Sequence, residues 1–309
     1  MTAARAGATR SGILAVEKGP GVTSFQVVAH LRRLLRAPKV GHGGTLDPDA
    51  TGVLPILVGE GTKLTPYLTA LDKEYVATAR LGLTTDTQDA SGTVLRERPV
   101  PPLDGAAIAA ALARFVGEIE QIPPMYSALH HEGRRLYELA REGAEVARPP
   151  RKVMVHAITL EALALPEVTF RVRCGKGTYV RTLAADLGEA LGTGASLSRL
   201  VRTRVGPYHL DDAVPWDTLR EAREGAALWT QLRPLDSALL ELPALTLDAR
   251  ATQAFVHGQS VPGGSGRTGL LRVYGADGAL LGVGEGQGEL VKPERLLHAD
   301  PPRTPVVPR

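Results

Sequence analysis

Gly41-His-Gly-Gly-Thr-Leu-Asp-Pro-Asp-Ala-Thr-Gly-Val-Leu54 sets two carboxylates, Asp47 and Asp49, among glycines at 41, 43, 44 and 52. Glycines let a backbone approach a ligand closely, so such a loop can hold one aspartate out for chemistry. A carboxylate placed there can act as a nucleophile or as a base. The same stretch also reads as an ordinary connection, because Asp-Pro is a common turn. Other chemistries lack their residues. A Walker loop requires G-x-x-x-x-G-K-[ST], yet Gly175-Lys176 runs into Gly177, and Gly61-Thr62-Lys63 has the wrong order. No G-x-G-x-x-G lies between a strand and a helix with an acidic residue about 20 positions on. His130-His-Glu132 lacks the H-E-x-x-H spacing of a zinc helix, and Cys174 is the only cysteine, unable to pair within the chain or to build a metal site alone. No local signature marks a Ser or Cys triad. Neither a nucleotide-phosphate loop nor a zinc site is expected from these residues.

The elements that must position this loop follow from periodicity and turn signals. Residues 12–17 read as a strand, and Thr23-Ser-Phe-Gln26 has the form of a capping box opening a helix. Val27, Val28, Leu31, Leu34 and Leu35 line one face of that helix, which is expected to end at Pro38 with Arg32, Arg33, Arg36 and Lys39 at its negative dipole end. After the Gly-rich loop come an apolar strand at 53–58 and a second strand at 73–82. Residues 106–115 read as a helix, and 136–141 as a short helix within a basic excursion. Strands are expected at 153–165 and 168–174. A helix with Val180, Leu183, Ala184, Leu187 and Leu191 ends at Gly192, and a strand at 197–205 carries Arg199, Arg202 and Arg204. Strands and helices do not alternate strictly. The fold class is therefore α+β, with a largely antiparallel mixed sheet flanked by helices and loops.

Composition sets the wider frame. The 309 residues carry 36 Lys or Arg and 33 Asp or Glu, a net charge of +3, with 43% hydrophobic and 22% charged residues. That balance belongs to globular proteins, and the length favours two domains. We expect tails at 1–10 and 299–309, a large domain at 11–240 and a small β-rich domain at 241–298. Residues 168–206 carry Arg171, Arg173, Lys176, Arg181, Arg199, Arg202 and Arg204 against Asp186 and Glu189, net +5, whereas residues 240–298 come to −1. A polyanion-facing stripe is thus expected on the large domain. Aromatics make up only 4%, which argues against a broad row of stacked bases. No apolar run is long enough to span a bilayer, the start lacks a secretory h-region, and a lone cysteine suits a reducing compartment, so a cytoplasmic protein is expected.

At residues 42–54 the chain closely resembles the signature of the TruB-type pseudouridine synthases, in which the aspartate before the proline is the catalytic nucleophile. That position is Asp47. The resemblance continues through Lys18-Gly-Pro-Gly-Val-Thr-Ser24, Asp72-Lys-Glu-Tyr75, Thr84-Thr-Asp-Thr-Gln-Asp-Ala-Ser-Gly92, Ile122-Pro-Pro-Met-Tyr-Ser-Ala128 and Lys176-Gly-Thr-Tyr-Val-Arg-Thr182, in the family's order over roughly 11–235. One departure is Lys18-Gly-Pro-Gly21 where the family has Lys-Pro-x-Gly, which touches local loop shape. Residues 122–142, with Leu136-Tyr-Glu-Leu-Ala140, resemble the stand-alone bacterial enzymes rather than the guide-RNA-dependent ones. The resemblance implies the pseudouridine synthase fold with a PUA-like C-terminal RNA-binding domain. It implies cofactor-free isomerisation of uridine 55 in the T loop of tRNA, recognised through the T-arm stem-loop, with no membrane and no obligatory protein partner. It also implies that Arg181 reaches Asp47 and that Tyr75 packs on a flipped base. Tyr179 and Leu200 would line the pocket. His42 would fill the opened loop or touch a neighbouring base, and Lys18 and Lys63 would contact phosphate or support loops.

Alternatives from other classes remain: a non-catalytic tRNA-binding or folding module, and a guide-RNA-dependent relative. A sugar-bond hydrolase using Asp47 and Asp49 ranks last, since hydrolysis needs carboxylates about 5–9.5 Å apart and these two are separated only by Pro48.

Overall fold

The computed structural model describes residues 10–297 except 128, 132 and 145. The expected tails, Arg10 apart, and residue 298 lie outside the described residues. β1 (Gly12–Lys18) leads into a capping box in which the Thr23 hydroxyl accepts from the Gln26 N–H and Gln26 Oε1 accepts from the Thr23 N–H. The box opens α1 (Ser24–Leu34). This helix stops short of Pro38 because Arg36 takes a left-handed φ of 48°. Arg36 and Lys39 therefore lie beyond the last turn instead of within it.

β2 (Val40–His42), β3 (Thr51–Val58), a 3₁₀ turn over Gly59–Leu64, α2 (Thr65–Ala70) and β4 (Lys73–Leu81) follow. A hairpin, β5 (Leu83–Thr85) and β6 (Val94–Glu97), precedes α3 (Gly105–Ala113) and β7 (Gly117–Gln121). The excursion contains β8 (His130–His131), β9 (Arg134–Arg135) and α4 (Leu136–Arg141). The body is completed by β10 (Arg151–Ala164), β11 (Glu167–Cys174), α5 (Val180–Ala190), β12 (Ala195–Val205), β13 (Tyr208–His209), β14 (Val214–Pro215), α6 (Trp216–Glu221) and α7 (Leu228–Gln231).

One sheet runs in the order β14-β1-β3-β12-β4-β11-β10-β7, and its pairings are antiparallel except β1 with β14 and β3 with β12. Alternation along the strands gives it two apolar faces. Leu14, Val16, Leu54, Ile56, Phe170 and Val172 pack with Val27 and Leu31 of α1, Ile108 of α3, and Leu183 and Leu187 of α5. Ile13, Ala15, Val53 and Leu57 face Leu64, Leu68 of α2, Tyr208 and Leu239. Each such aliphatic side chain contributes about 1.5–3 kcal/mol by burial, which fixes α1 and α5 on one side of the sheet.

The C-terminal part has β15 (Ala244–Thr246), α8 (Ala249–Val256), β16 (Val261–Tyr274) and β17 (Leu280–Leu296). The last two form a long antiparallel hairpin within the expected small β-rich domain. Frequent glycines interrupt the apolar pattern there without ending the strands. At Gly282 (φ 142°) the backbone passes so close to the Arg295 carbonyl that no side chain fits. α8 went unrecognised although Asp248 caps it, accepting from the Ala251 N–H at 2.7 Å. Among the described residues no helix is long and apolar enough to cross a membrane.

β3 and β12 meet in parallel at only two positions, Thr51 with Val201 and Gly52 with Arg202. Gly52 has a φ of 106°, and a Cβ on it would collide with the Arg202 backbone. Gly52→Ala should therefore cost about 3 kcal/mol from strain and clash, lowering the thermal midpoint by roughly 6–12 °C on the scaling for domains of 150–250 residues. A calorimetric scan measures this, and an unchanged midpoint would mean the seam tolerates a side chain.

Candidate active site

The loop between β2 and β3 is fastened on several sides before it presents Asp47. Lys18 is fully buried, and its ammonium donates to the carbonyls of Gly19, Val22 and Pro48 at 2.7–2.8 Å. Burial pushes its pKa down to about 8, against the pull of Asp49 and Asp47. The Gly21 N–H donates to the Pro48 carbonyl, and Ser24 Oγ accepts from the Leu46 N–H at 2.9 Å while donating to the Leu46 carbonyl at 3.1 Å. The Ser24 hydroxyl therefore stitches the start of α1 to the loop.

Arg202 supports the loop from the sheet. Only 1% exposed, it donates from Nε to the Val53 carbonyl at 2.8 Å, from Nη1 to Thr45 at 3.3 Å and from Nη2 to Gly44 at 3.0 Å. It also hydrogen-bonds the Tyr75 side chain, directly opposite it in the β4–β12 register. A buried charge is tolerable only when its donors are satisfied. Here carbonyls and a phenol take that role, with no carboxylate in direct contact among the described residues.

Arg181, 5% exposed in the first turn of α5, places Nε 3.1 Å from Asp47 Oδ2. Its Nη1 lies 3.3 Å from Asp89 Oδ2 and donates to the Thr87 carbonyl at 3.1 Å, and Nη2 donates to the Tyr126 carbonyl at 2.7 Å. Asp89 is itself held by the Thr87 hydroxyl and by the backbone and hydroxyl of Ser91. The planar fork is thus oriented on every edge. The helix start is set by Gln121, which donates to the Tyr179 carbonyl at 3.2 Å and accepts from the Tyr179 N–H at 2.9 Å. Asp47 keeps 43% of its side-chain surface open. The surrounding protein nevertheless pushes its carboxyl above the ordinary aspartate range; Arg181 opposes this most strongly, and Asp89 adds to it.

A cleft of about 250 Å³ results, lined by Asp47, Tyr75, Tyr179, Arg181, Leu200 and Arg202 among others. Leu200 and Arg202 share a face of β12, two residues apart. The cleft is below the 300–1,000 Å³ of drug-sized pockets and suits one nucleoside better than a helix. Burial raises the phenol pKa of Tyr75 and of Tyr179, so both stay neutral.

Five expected residues, Asp47, Tyr75, Arg181, Tyr179 and Leu200, meet in this cleft, whereas three lie elsewhere. Lys18 is behind the loop with its donors occupied, leaving no face for phosphate. Lys63 pairs with Glu60 at 2.6 Å and donates to the Leu296 carbonyl at 3.1 Å, bracing the 3₁₀ turn against β17. His42 sits in β2, its Nδ1 3.4 Å from the Gly44 nitrogen, outside the lining. Asp49 is also outside it. The expected basic stripe is broken, because Arg181 and Arg202 are buried and Arg171 pairs with Glu74 and Glu161. Arg173, Lys176, Arg199 and Arg204 remain exposed. Burial lifts the Cys174 thiol to about 11, which removes it as a nucleophile at neutral pH. Among the described residues no three His, Cys, Asp or Glu side chains converge to hold a metal.

Sequence reasoning missed Asp89, Gln121 and the burial of Arg202. Asp89 had a signal in the turn-rich Thr84–Gly92 stretch; Gln121 had none.

The architecture and cleft define a pseudouridine synthase fold. Residues 32–180 match the TruB family pseudouridylate synthase N-terminal domain, 181–240 the tRNA pseudouridylate synthase B C-terminal domain, and 243–297 the pseudouridine synthase II TruB C-terminal domain. The chain is 48% identical over 293 residues to tRNA pseudouridine synthase B of Burkholderia mallei, covering 93% of this chain and 96% of that protein. The same identity extends over 299 residues of the protein of that name from Ralstonia nicotianae, covering 93% and 94%. A solved Cbf5-Nop10-Gar1 complex contains a chain similar to it at 27% identity and a TM-score of 0.71, covering 94% of this chain and 84% of that one. The chain belongs to the TruB family of pseudouridine synthases.

Arg202→Lys retains charge but cannot span three carbonyls and a phenol. Turnover at saturating substrate should fall by about a hundredfold as the loop loses register. Single-turnover kinetics measure this, and wild-type turnover in a folded variant would remove Arg202 from loop support.

Proposed function

We propose that this chain isomerises uridine 55 in the T loop of tRNA to pseudouridine, with Asp47 as the catalytic carboxylate. The carrying observation is the pairing of Asp47, open to a nucleoside-sized cleft, with the fully committed fork of Arg181. The 48% identity to bacterial enzymes named tRNA pseudouridine synthase B, against 27% to the Cbf5 complex, favours a stand-alone enzyme acting on the T-arm stem-loop without an obligatory protein partner. Its setting is the cytoplasm. Residues 11–240 form the catalytic unit and 241–298 an RNA-contacting one.

The N1–C1′ bond breaks, the base turns, and a C5–C1′ bond forms; C5 loses a proton and N1 gains one, so the composition is unchanged. Asp47 supplies an electron pair at the sugar, as nucleophile or as base. Arg181 orients that carboxylate and favours its ionised form. Extruding the base costs a few kcal/mol, which stacking on Tyr75 offsets by about 1–3 kcal/mol. Tyr179 and Leu200 wall the cleft, while exposed Arg173, Lys176, Arg199 and Arg204 meet the RNA backbone. Hydrolysis would require a second carboxylate in the cleft, and Asp49 is outside it.

Asp47→Asn should reduce turnover about a thousandfold or more while leaving tRNA affinity within several-fold, since affinity comes from spread backbone contacts. Release of label from uridine C5 with the base retained measures isomerisation. Free base would indicate hydrolysis, and full activity of the variant would reject Asp47.

The acid limb gives an independent check. Burial raises the Asp47 carboxyl, so kcat/KM should be lost as pH falls through a value above the ordinary aspartate range. Arg181→Gln removes the chief opposing charge and should move that limb to still higher pH. A limb that stays in place or moves down would break the assigned coupling.

A further inference from the structure

The outward face of α1 carries charge that the cleft does not use. Phe25, Ala29, Arg32 and Arg33 lie at helical spacing and form one stripe, which Arg36, beyond the last turn, continues along the same concavity. They line a concavity of about 750 Å³ closed by Ala37 and Pro38. Phe25 is 75% exposed, and the three arginines are exposed with no hydrogen-bond or carboxylate partner among the described residues. Some cations elsewhere on the surface are neutralised, Lys152, Arg171, Arg220 and Arg233 each pairing with a carboxylate, whereas this stripe gathers three that are not. A helix dipole rewards cations near its C-terminus, but it explains neither an exposed phenylalanine a helix length away nor the concavity.

The stripe begins beside the catalytic loop, because Ser24, next to Phe25, is the residue that clasps Leu46. Its helical part extends about 15 Å from there. We propose that this face of α1 is a second RNA-contact surface, at which Arg32, Arg33 and Arg36 hold backbone phosphates and Phe25 packs on a base or sugar flanking the segment in the cleft. The proposal rests on the reading of the substrate as tRNA. The occupant is a polyanion because the lining holds three unpaired guanidiniums and no carboxylate, and a guanidinium fork matches phosphate. The aromatic face adds the stacking surface that exposed nucleotides use.

The test compares wild-type protein with R32Q/R33Q/R36Q and with F25A, measuring tRNA dissociation constants over a series of salt concentrations and single-turnover pseudouridine formation at saturating tRNA. The triple variant should bind about tenfold more weakly at low salt, and its slope of log Kd against log salt should shrink by about 0.7–0.9 for each lost phosphate contact. Its rate at saturation should remain within about twofold of wild type. F25A should weaken binding with the slope unchanged. Circular dichroism and the single variant R33Q guard against a folding artefact. An unaltered Kd and slope in the triple variant would overturn the proposal and leave the face to an acidic protein partner. A reduced rate at saturation with unaltered Kd would also overturn it, making the stripe a brace for the loop. Wild-type protein that neither binds nor modifies tRNA would instead refute the functional reading itself.

Discussion

A guanidinium sealed inside the sheet is the constraint on which the active site depends. Arg202 stands where β3 and β12 touch for only two residues, and its fork reaches two carbonyls of the Asp47 loop, the Val53 carbonyl of β3 and, across the sheet, Tyr75. So short a seam gains few ladder hydrogen bonds, and an unsatisfied buried cation would destabilise it by several kcal/mol. The charge thus makes loop, seam and aromatic wall interdependent. The carbonyls need the cation as much as the cation needs them.

Arg181 solves a related problem from the other side. Its partners come from three distant stretches, at Asp47, Thr87 to Asp89 and Tyr126, while Gln121 fixes the start of its own helix α5. The carboxylate in the cleft consequently meets a guanidinium that cannot rotate away. Such preorganisation avoids rearrangement at the moment of reaction. It also explains why the excursion at 122–142 matters to the site although it contributes little to the sheet: the Tyr126 carbonyl closes the last edge of the fork.

Much of this was legible in the chain. Alternation and apolar runs located the central strands, Thr23 and Gln26 announced α1, and the glycines around Asp47 marked the loop. Arg202 alone of the β12 arginines departs from the expected exposed stripe, because Arg-x-x-Arg-x-Arg in a strand looks like a solvated edge and only the crossing of β3 turns this one inward. Of the two roles open to Lys18, phosphate contact or loop support, it takes the second, and one of its three acceptors is a carbonyl 30 residues away. Arg36 ended α1 early through a backbone torsion that no side-chain pattern encodes. What local spacing could not supply was, in each case, a partner brought in by the tertiary fold.

The C-terminal hairpin does more than append a module. Val283 and Leu297 pack in the same apolar cluster as Ile13, Val53 and Leu57 of the central sheet, while the Lys63 ammonium reaches the Leu296 carbonyl. A shared core couples stabilities. Loosening the hairpin uncovers the first strand of the body, and loosening that strand uncovers the hairpin, so each part leans on the other's packing. The span between the cleft and the hairpin is thereby set by protein packing, and an RNA touching both must bend to fit it.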